Sequence, residues 1–517
     1  DDAAAEAGLL RAAGEVAAAH GRRLRHWRAE PRQPDPTAHN EEQQKWFKMN
    51  TGKIAHHYWV AFERVFMERR HEYAVFLEED LVLAPDFLAL LRSTAWLLEQ
   101  DPSLWCVSGW NDAGFIGSAT DSCRLLRTSY FPGLGFLLPR SAWLRLREVW
   151  PPAPTMGWDY WMRTAFRREG KECIIPEVSR THHASAKGSS VTNEKQLKLF
   201  RSMALARANG TCGPSGPCRH FGDVSYLLED AYDARLRAAV RAAPQVSFED
   251  LLPEAKAELS TQGRECLHQK HALGKHDTAE ACARWALATE GCGGHFMWAP
   301  GWPGWGCRCC QPGGGEGGPA HGSWSLYRAV RLGPGGAFHG RRPLYVLPYT
   351  YEEYHRHRDV LLGVLGLRPP GTLGAIPPDL RAEHYGLALA RHAASRARVL
   401  LVDRRSPREF LPPGQQLRMS SSAQVLVAKR NQSCSQACGE QRLRCDEAQL
   451  HFLNDCRVLE KHFHCRWCAH QVGGELPCYV PDGFQPTRGQ CLVTFISPLQ
   501  CSARHASTQR LCACMPG

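Results

Sequence analysis

The sequence predicts an α/β protein carrying two small disulfide-rich modules, and three observations lead there. Residues 73–77, Tyr-Ala-Val-Phe-Leu, form an apolar run, partly β-branched or aromatic, as expected of a strand covered on both faces; it runs straight into Glu78, Glu79 and Asp80. A second core run at 104–110 ends in Asn111 and Asp112. The third observation is where the cysteines cluster: six lie within 260–311 and eleven within 420–517.

The totals bound the classes. A length of 517 residues suggests roughly three domains, and 43% apolar residues suffice for ordinary cores. Lys plus Arg exceed Asp plus Glu by 63 to 52, but the net +11 is spread without a long basic run, so no nucleic-acid partner is expected. The 22 cysteines lack the paired spacing of a zinc module, and sequons begin at Asn209 and Asn431; both features indicate an oxidising compartment. The sequence shows neither a signal peptide nor a transmembrane run. Any targeting or membrane-anchoring segment is therefore expected outside these residues.

Taken in order, residues 3–20 are Ala-rich and read as a helix, broken by Pro31, Pro34 and Pro36. From Asn40, a suitable N-cap, Trp46, Phe47, Ile54, Tyr58, Phe62, Val65 and Phe66 repeat at helical spacing. His57 lies on that helix, where packing, solvent exposure and ligand contact are all open. Ligands of α/β sheets gather at strand carboxyl ends, so Glu78, Glu79 and Asp80 suit a hard divalent ion; a solvated acidic strand end is the plainer reading. Pro85 suits the first turn of a following helix. Gly133 and Gly135 flank Leu134 and permit either a tight turn or close approach to a ligand. Asp159, between Trp158 and Trp161 at a helix start, is either a general base with a raised pKa or an ordinary cap.

Five motifs then stand in register: 78–87 with its three acids, 105–112 (Trp-Cys-Val-Ser-Gly-Trp-Asn-Asp), 131–135 (Phe-Pro-Gly-Leu-Gly), 158–163 (Trp-Asp-Tyr-Trp-Met-Arg) and 172–180. In order and spacing they resemble the β-1,2-N-acetylglucosaminyltransferase family. Residues 223–232 continue the match, and 345–413 more loosely resemble the family's C-terminal part. The resemblance implies a GT-A fold, a mixed sheet flanked by helices. It also implies inverting transfer of GlcNAc from UDP-GlcNAc to the 2-hydroxyl of a mannoside on a glycoprotein glycan, with Mn²⁺, in the Golgi lumen. It makes Asp80 the metal ligand and Asp159 the catalytic base. Glu78 and Glu79 would face the donor, His57 would pack on the uracil, and Leu134 and Trp158 would line the GlcNAc pocket. Ser189 and Ser190 would belong to a loop closing over the donor. Strands carrying further uridine contacts are expected before residue 1. Tyr160 replaces a second acid of some members, and His182-His183-Ala184 departs from the usual lead-in to the closing loop. The acceptor is thereby left open. The alternative is a non-catalytic carbohydrate-binding or extracellular structural protein on a degenerate transferase scaffold.

The expected organisation is a transferase domain at 1–259, an inserted six-cysteine module at 260–319, the C-terminal part of the transferase at 320–415 and a cysteine-rich module at 420–517. The insertion is expected to close its disulfides internally, and Cys212 to bridge Cys218 across a short Gly/Pro loop. Trp298, Trp302 and Trp305 read as the insertion's core in preference to a sugar-stacking surface. Cys465-Arg-Trp-Cys468 reads as structural disulfide more readily than as zinc or redox chemistry. The tail resembles the cysteine-rich C-terminal segment of N-acetylglucosaminyltransferase V.

Overall fold

A computed structural model describes residues 50–116, 119–129, 131–150, 158–165, 171–184, 200–206, 221–333, 344–350, 387–392, 397–406, 408–465, 467–481, 487–494 and 498–517, with single positions elsewhere. The chain divides into two compact units, residues 1–72 with 143–158 and residues 73–142 with 159–517. In the first, helix α1 (Asn50–Phe62) runs into a π-helical stretch, Glu63–Glu68. The helical spacing read from the sequence produces the expected face: Tyr58, Phe62 and Phe66 are buried, and Phe62 meets the rings of Trp143 and Trp150 at 4.9 and 5.6 Å. The expected N-cap Asn40 lies outside the described residues.

The second unit begins with β1 (Tyr73–Phe76), β2 (Leu81–Leu83), helix α2 (Phe87–Thr94), α3 (Leu97–Gln100), β3 (Leu104–Ser108), β4 (Leu125–Thr128), β5 (Phe136–Pro139), α4 (Arg140–Val149, begun here), α5 (Trp158–Ala165), β6 (Glu172–Pro176), β7 (Thr181–His183) and α6 (Glu229–Ala242). The main sheet is mixed, in the order β1-β5-β3-β6-β4; β3 and β6 are parallel and the other pairs antiparallel. The two-sided cover expected of 73–77 belongs to β3, all of whose residues are buried. β1 is instead an edge strand, which leaves Val75 and Leu77 exposed.

One face of this sheet packs on α2 through Phe87, Leu90 and Leu91, against Val107, Leu125, Leu137 and Ile174. Within it the fully buried Arg127 guanidinium meets Asp101 at 2.6 Å and Glu172 at 2.7 Å. Burial opposes that charge, yet the two carboxylates outweigh it and hold the guanidinium pKa above its ordinary value. Burial likewise raises the Asp101 carboxyl, but Arg127 and hydrogen bonds from Ser103 leave it below the usual range.

Cys106 bridges Cys173 across the β3–β6 pair. Cys218 bridges Cys123, which corrects the expected Cys212–Cys218 bridge. The Cys218 N–H donates to Asp86 at 2.7 Å, and Arg180 binds both Asp86 and the Ser122 carbonyl, so tertiary contacts bring residues 123 and 218 together. Loop closure costs only slowly more with length, so a short loop confers little advantage over such anchoring. Cys212 lies outside the described residues.

The six clustered cysteines lie on and around a five-stranded antiparallel sheet made of β8 (Glu254–Arg264), β9 (Gln269–Gly274), β10 (His295–Trp298), β11 (Cys307–Cys310) and β12 (Ala320–Gly333), in the order β8-β12-β10-β11-β9. Helix α7 (Ala279–Ala288) packs Cys282, Ala283 and Ala286 against Phe296 and Trp298. The bridges Cys266–Cys310, Cys282–Cys307 and Cys292–Cys309 close within this set, as expected. Of the three tryptophans read as core, only Trp298, on β10, is buried; Trp302 and Trp305 are exposed on and beside a short 3-10 turn at Pro303–Trp305 that buries none of its residues.

A small sheet follows in the order β13-β15-β14: β13 (Leu344–Tyr349), β14 (Leu387–Arg391), β15 (Arg398–Asp403). In the tail, Ser433 and Gln436 form a capping box that starts α8 (Cys434–Glu440). Five bridges staple the tail: Cys434–Cys512, Cys438–Cys514, Cys445–Cys501, Cys456–Cys468 and Cys465–Cys491. Cys465 and Cys468 are thus structural half-cystines, each with a distant partner. Cys478 is free and buried.

Candidate active site

The acids occupy the turn from β1 to β2, where the Leu81 N–H donates to the Glu78 carbonyl at 3.3 Å. Glu78 and Asp80 are half-buried and Glu79 is exposed. What aims Asp80 is the strand beside it. β7 pairs with β2 so that His183 opposes Leu81, and the Ala184 N–H donates to the Asp80 carbonyl at 2.8 Å. This register brings His183 Nε2 to 3.0 Å from Asp80 Oδ2, with the imidazole stacked on Phe200 at 4.6 Å.

The base of β7 is fixed by Arg180. Its guanidinium is fully buried, ion-paired to Asp86 at 3.0 Å, and donates to the carbonyls of Val178 and Ser122. Its N–H donates to the Gly109 carbonyl just past β3, and its own carbonyl accepts from Ala84. One residue on, Thr181 Oγ1 donates to the Leu134 carbonyl at 2.6 Å. Gly133 and Gly135 adopt φ of +77° and +80°, and a Cβ at Gly135 would sit 2.6 Å from Thr181 Cγ2. Both properties of glycine are therefore used: the left-handed turn and the close approach, here to β7. Leu134 is left half-buried beside Trp110, Phe115 and Met203.

Asp80 Oδ1 and His183 Nδ1 are buried and have no hydrogen-bond partner among the described residues. A buried carboxylate oxygen left unsatisfied is costly, and a cation would satisfy it. The 3.0 Å between Nε2 and Oδ2 also suits two adjacent ligands of one ion with bonds of about 2.1 Å. The residues present therefore fit a divalent metal. Among the described residues no group of three or more His, Cys, Asp or Glu converges.

Asp80 and Leu134 are thus joined through β7. Asp159 lies in the first turn of α5, half-buried, where the helix N-terminus favours its negative charge. His57 and Trp158 belong to the other unit: His57 is exposed on α1, and Trp158 is buried with its ring 3.7 Å from that of Tyr58. Ser189 and Ser190 lie outside the described residues. Sequence reasoning gave no role to Arg180 or His183. The signal for His183 was its place in a tripeptide that departs from the family pattern.

Residues 19–264 match the model of the GNT-I family. A curated relative, alpha-1,3-mannosyl-glycoprotein 2-beta-N-acetylglucosaminyltransferase of Arabidopsis thaliana, is 37% identical over 209 residues, which are 40% of this chain and 44% of the relative. The match spans less than half of that relative's length. The family match ends before the tail.

Proposed function

We propose, from a segment at 19–264 that belongs to the GNT-I family, that this protein is an inverting transferase of GT-A type, moving GlcNAc from UDP-GlcNAc to the 2-hydroxyl of a mannose-terminated glycan. The observation that carries this reading is Asp80, whose one carboxylate oxygen lacks a partner while the other faces His183. Asp80 and His183 would hold Mn²⁺, which when bound would neutralise charge on the departing diphosphate. Glu78, Glu79 and Leu134 would contact the donor; so would His57 and Trp158, with Ser189 and Ser190 closing over it. Asp159 would accept the proton of the acceptor hydroxyl as its oxygen bonds to the anomeric carbon and the bond to UDP breaks. A single displacement inverts that carbon and needs no protein nucleophile. The ten disulfides among the described residues support passage through the secretory pathway, and the Golgi lumen is the proposed site of action, with an extracellular location as the alternative.

Calorimetric titration of UDP-GlcNAc, with and without Mn²⁺, tests this. The parent should bind donor in a Mn²⁺-dependent manner, and Asp80→Ala should weaken that binding at least tenfold. A parent that binds no donor with Mn²⁺ present would give precedence to a non-catalytic scaffold.

A further inference from the structure

Five tryptophans of the six-cysteine sheet divide sharply by burial. Trp285, Trp298 and Trp324 are at most 9% exposed, whereas Trp302 and Trp305 are 58% and 46% exposed. Two exposed indoles side by side make an apolar patch of the kind that marks an interaction site. This pair is also held rigidly. Three successive turns run through the loop: the Trp302 N–H donates to the Ala299 carbonyl at 3.0 Å, Trp305 to Trp302 at 2.9 Å, and Gly306 to Pro303 at 3.0 Å. Gly306 then takes φ +83°, where a Cβ would clash at 2.7 Å with the Gly274 carbonyl oxygen, and Cys307 beside it is bridged to Cys282.

The two rings are near-parallel at 18° with centroids 5.7 Å apart. Full overlap would bring them to about 3.5–4 Å, so the pair forms a stepped platform with open faces. Trp305 is backed by Trp324 at 5.7 Å and meets His321 edge-on at 6.0 Å. The surroundings are polar: Arg308 lies over Trp324, and His321 faces Glu265 at 4.0 Å. Flat apolar faces ringed by charged donors and acceptors match a ligand that is itself apolar on its ring faces and hydroxylated at its edges.

We propose that Trp302 and Trp305 form a carbohydrate-binding platform, separate from the transfer chemistry, that stacks pyranose rings of a mannose-containing oligosaccharide. The choice of sugar class rests on the transferase reading above; the platform itself does not. Its order before any ligand arrives keeps the entropic cost of binding low.

The test is direct binding by the full chain, with neither UDP-GlcNAc nor Mn²⁺ present. Mannose-terminated oligosaccharides are titrated by calorimetry and tryptophan fluorescence, beside a proline-rich peptide and a protein-concentration series. The expected result is saturable oligosaccharide binding, weakened about tenfold or more in Trp302→Ala and largely kept in Trp302→Phe. Unchanged circular dichroism accompanies this, since the residue lies outside the core. The proposal is overturned if the parent binds no oligosaccharide, if Trp302→Ala binds as well as the parent, or if the peptide or self-association uses these residues instead. Transfer to a simple mannoside, assayed separately, distinguishes the two readings. Binding without transfer sinks the enzyme and keeps the platform, and transfer without binding does the reverse.

Discussion

The region around β3 to β7 and the tail from 420 hold themselves together by different means. In the first, which also carries the Cys106–Cys173 and Cys123–Cys218 bridges, buried ion-paired guanidinium groups set positions: Arg127 ties α3's end to β4 and β6 through Asp101 and Glu172, and Arg180 ties β7 to Asp86 and the Ser122 loop. In the tail, five disulfides set them, and the buried Arg510 has no ion pair at all among the described residues. Its guanidinium donates to the carbonyls of Gln500, Ala503 and Leu476, and burial pushes its pKa down to about 10. The difference has a physical reason. The tail's core is built from half-cystines as much as from aliphatic side chains, and its bridges act by constraining the unfolded chain. In the region that holds His183 3.0 Å from Asp80, directional bonds converge on the strands carrying the two residues.

That contrast can be broken at several points. The largest effect is expected where chemistry and scaffold separate: Asp159→Asn keeps the side chain's shape but cannot accept a proton. Turnover should fall by roughly two to four orders of magnitude while Mn²⁺-dependent donor binding survives. Transfer at the parental rate would remove Asp159 from the base role. Next, Arg127→Met leaves two carboxylates buried without their cation and should cost about 3–5 kcal/mol in denaturant unfolding of the full chain. A loss under about 1 kcal/mol would show that the network does not hold the sheet. Replacing Cys434 and Cys512 together by Ala should cost less, about 2–4 kcal/mol, because other bridges still constrain the tail. That loss should appear in the tail's own protection from hydrogen exchange and leave Mn²⁺-dependent donor binding intact.

The smallest effect is the acid response. Asp101 titrates below its unfolded value, so its contribution is present above the ordinary aspartate range and is lost as pH falls through the depressed folded value. Stability of the β3–β6 region should decline below about pH 4, and Arg127→Met should flatten the part of that decline due to Asp101. An identical slope in both proteins would break the assignment.

How much was legible follows the same division. The helix bearing Tyr58, Phe62 and Phe66, the strand 104–108 and the closed six-cysteine set could be read because periodicity and local clustering encode them. The Gly-Leu-Gly turn was legible as a turn. Its partner Thr181 was not, since a contact between residues 134 and 181 leaves no local pattern. The same holds for Cys123–Cys218, where sequence proximity pointed to the wrong cysteine. β1 misled because an apolar run looks alike in a central and an edge strand. Trp302 and Trp305 misled because hydrophobicity does not tell a buried indole from an exposed one in a turn-rich segment.

Cys478 carries a consequence for how this protein can be followed. It sits in the short strand Cys478–Tyr479, between the chain's Gln490–Val493 and Gln509–Pro516 strands, and burial pushes its thiol far above the ordinary cysteine value. Only a thiolate reacts with an alkylating reagent, so modification there requires the sheet to open first. The residue is a built-in clock: the rate at which a maleimide tags the peptide bearing Cys478 reports the opening frequency of the tail, with no probe introduced. Tagging as fast as a free thiol in native buffer would show that this sheet is open most of the time.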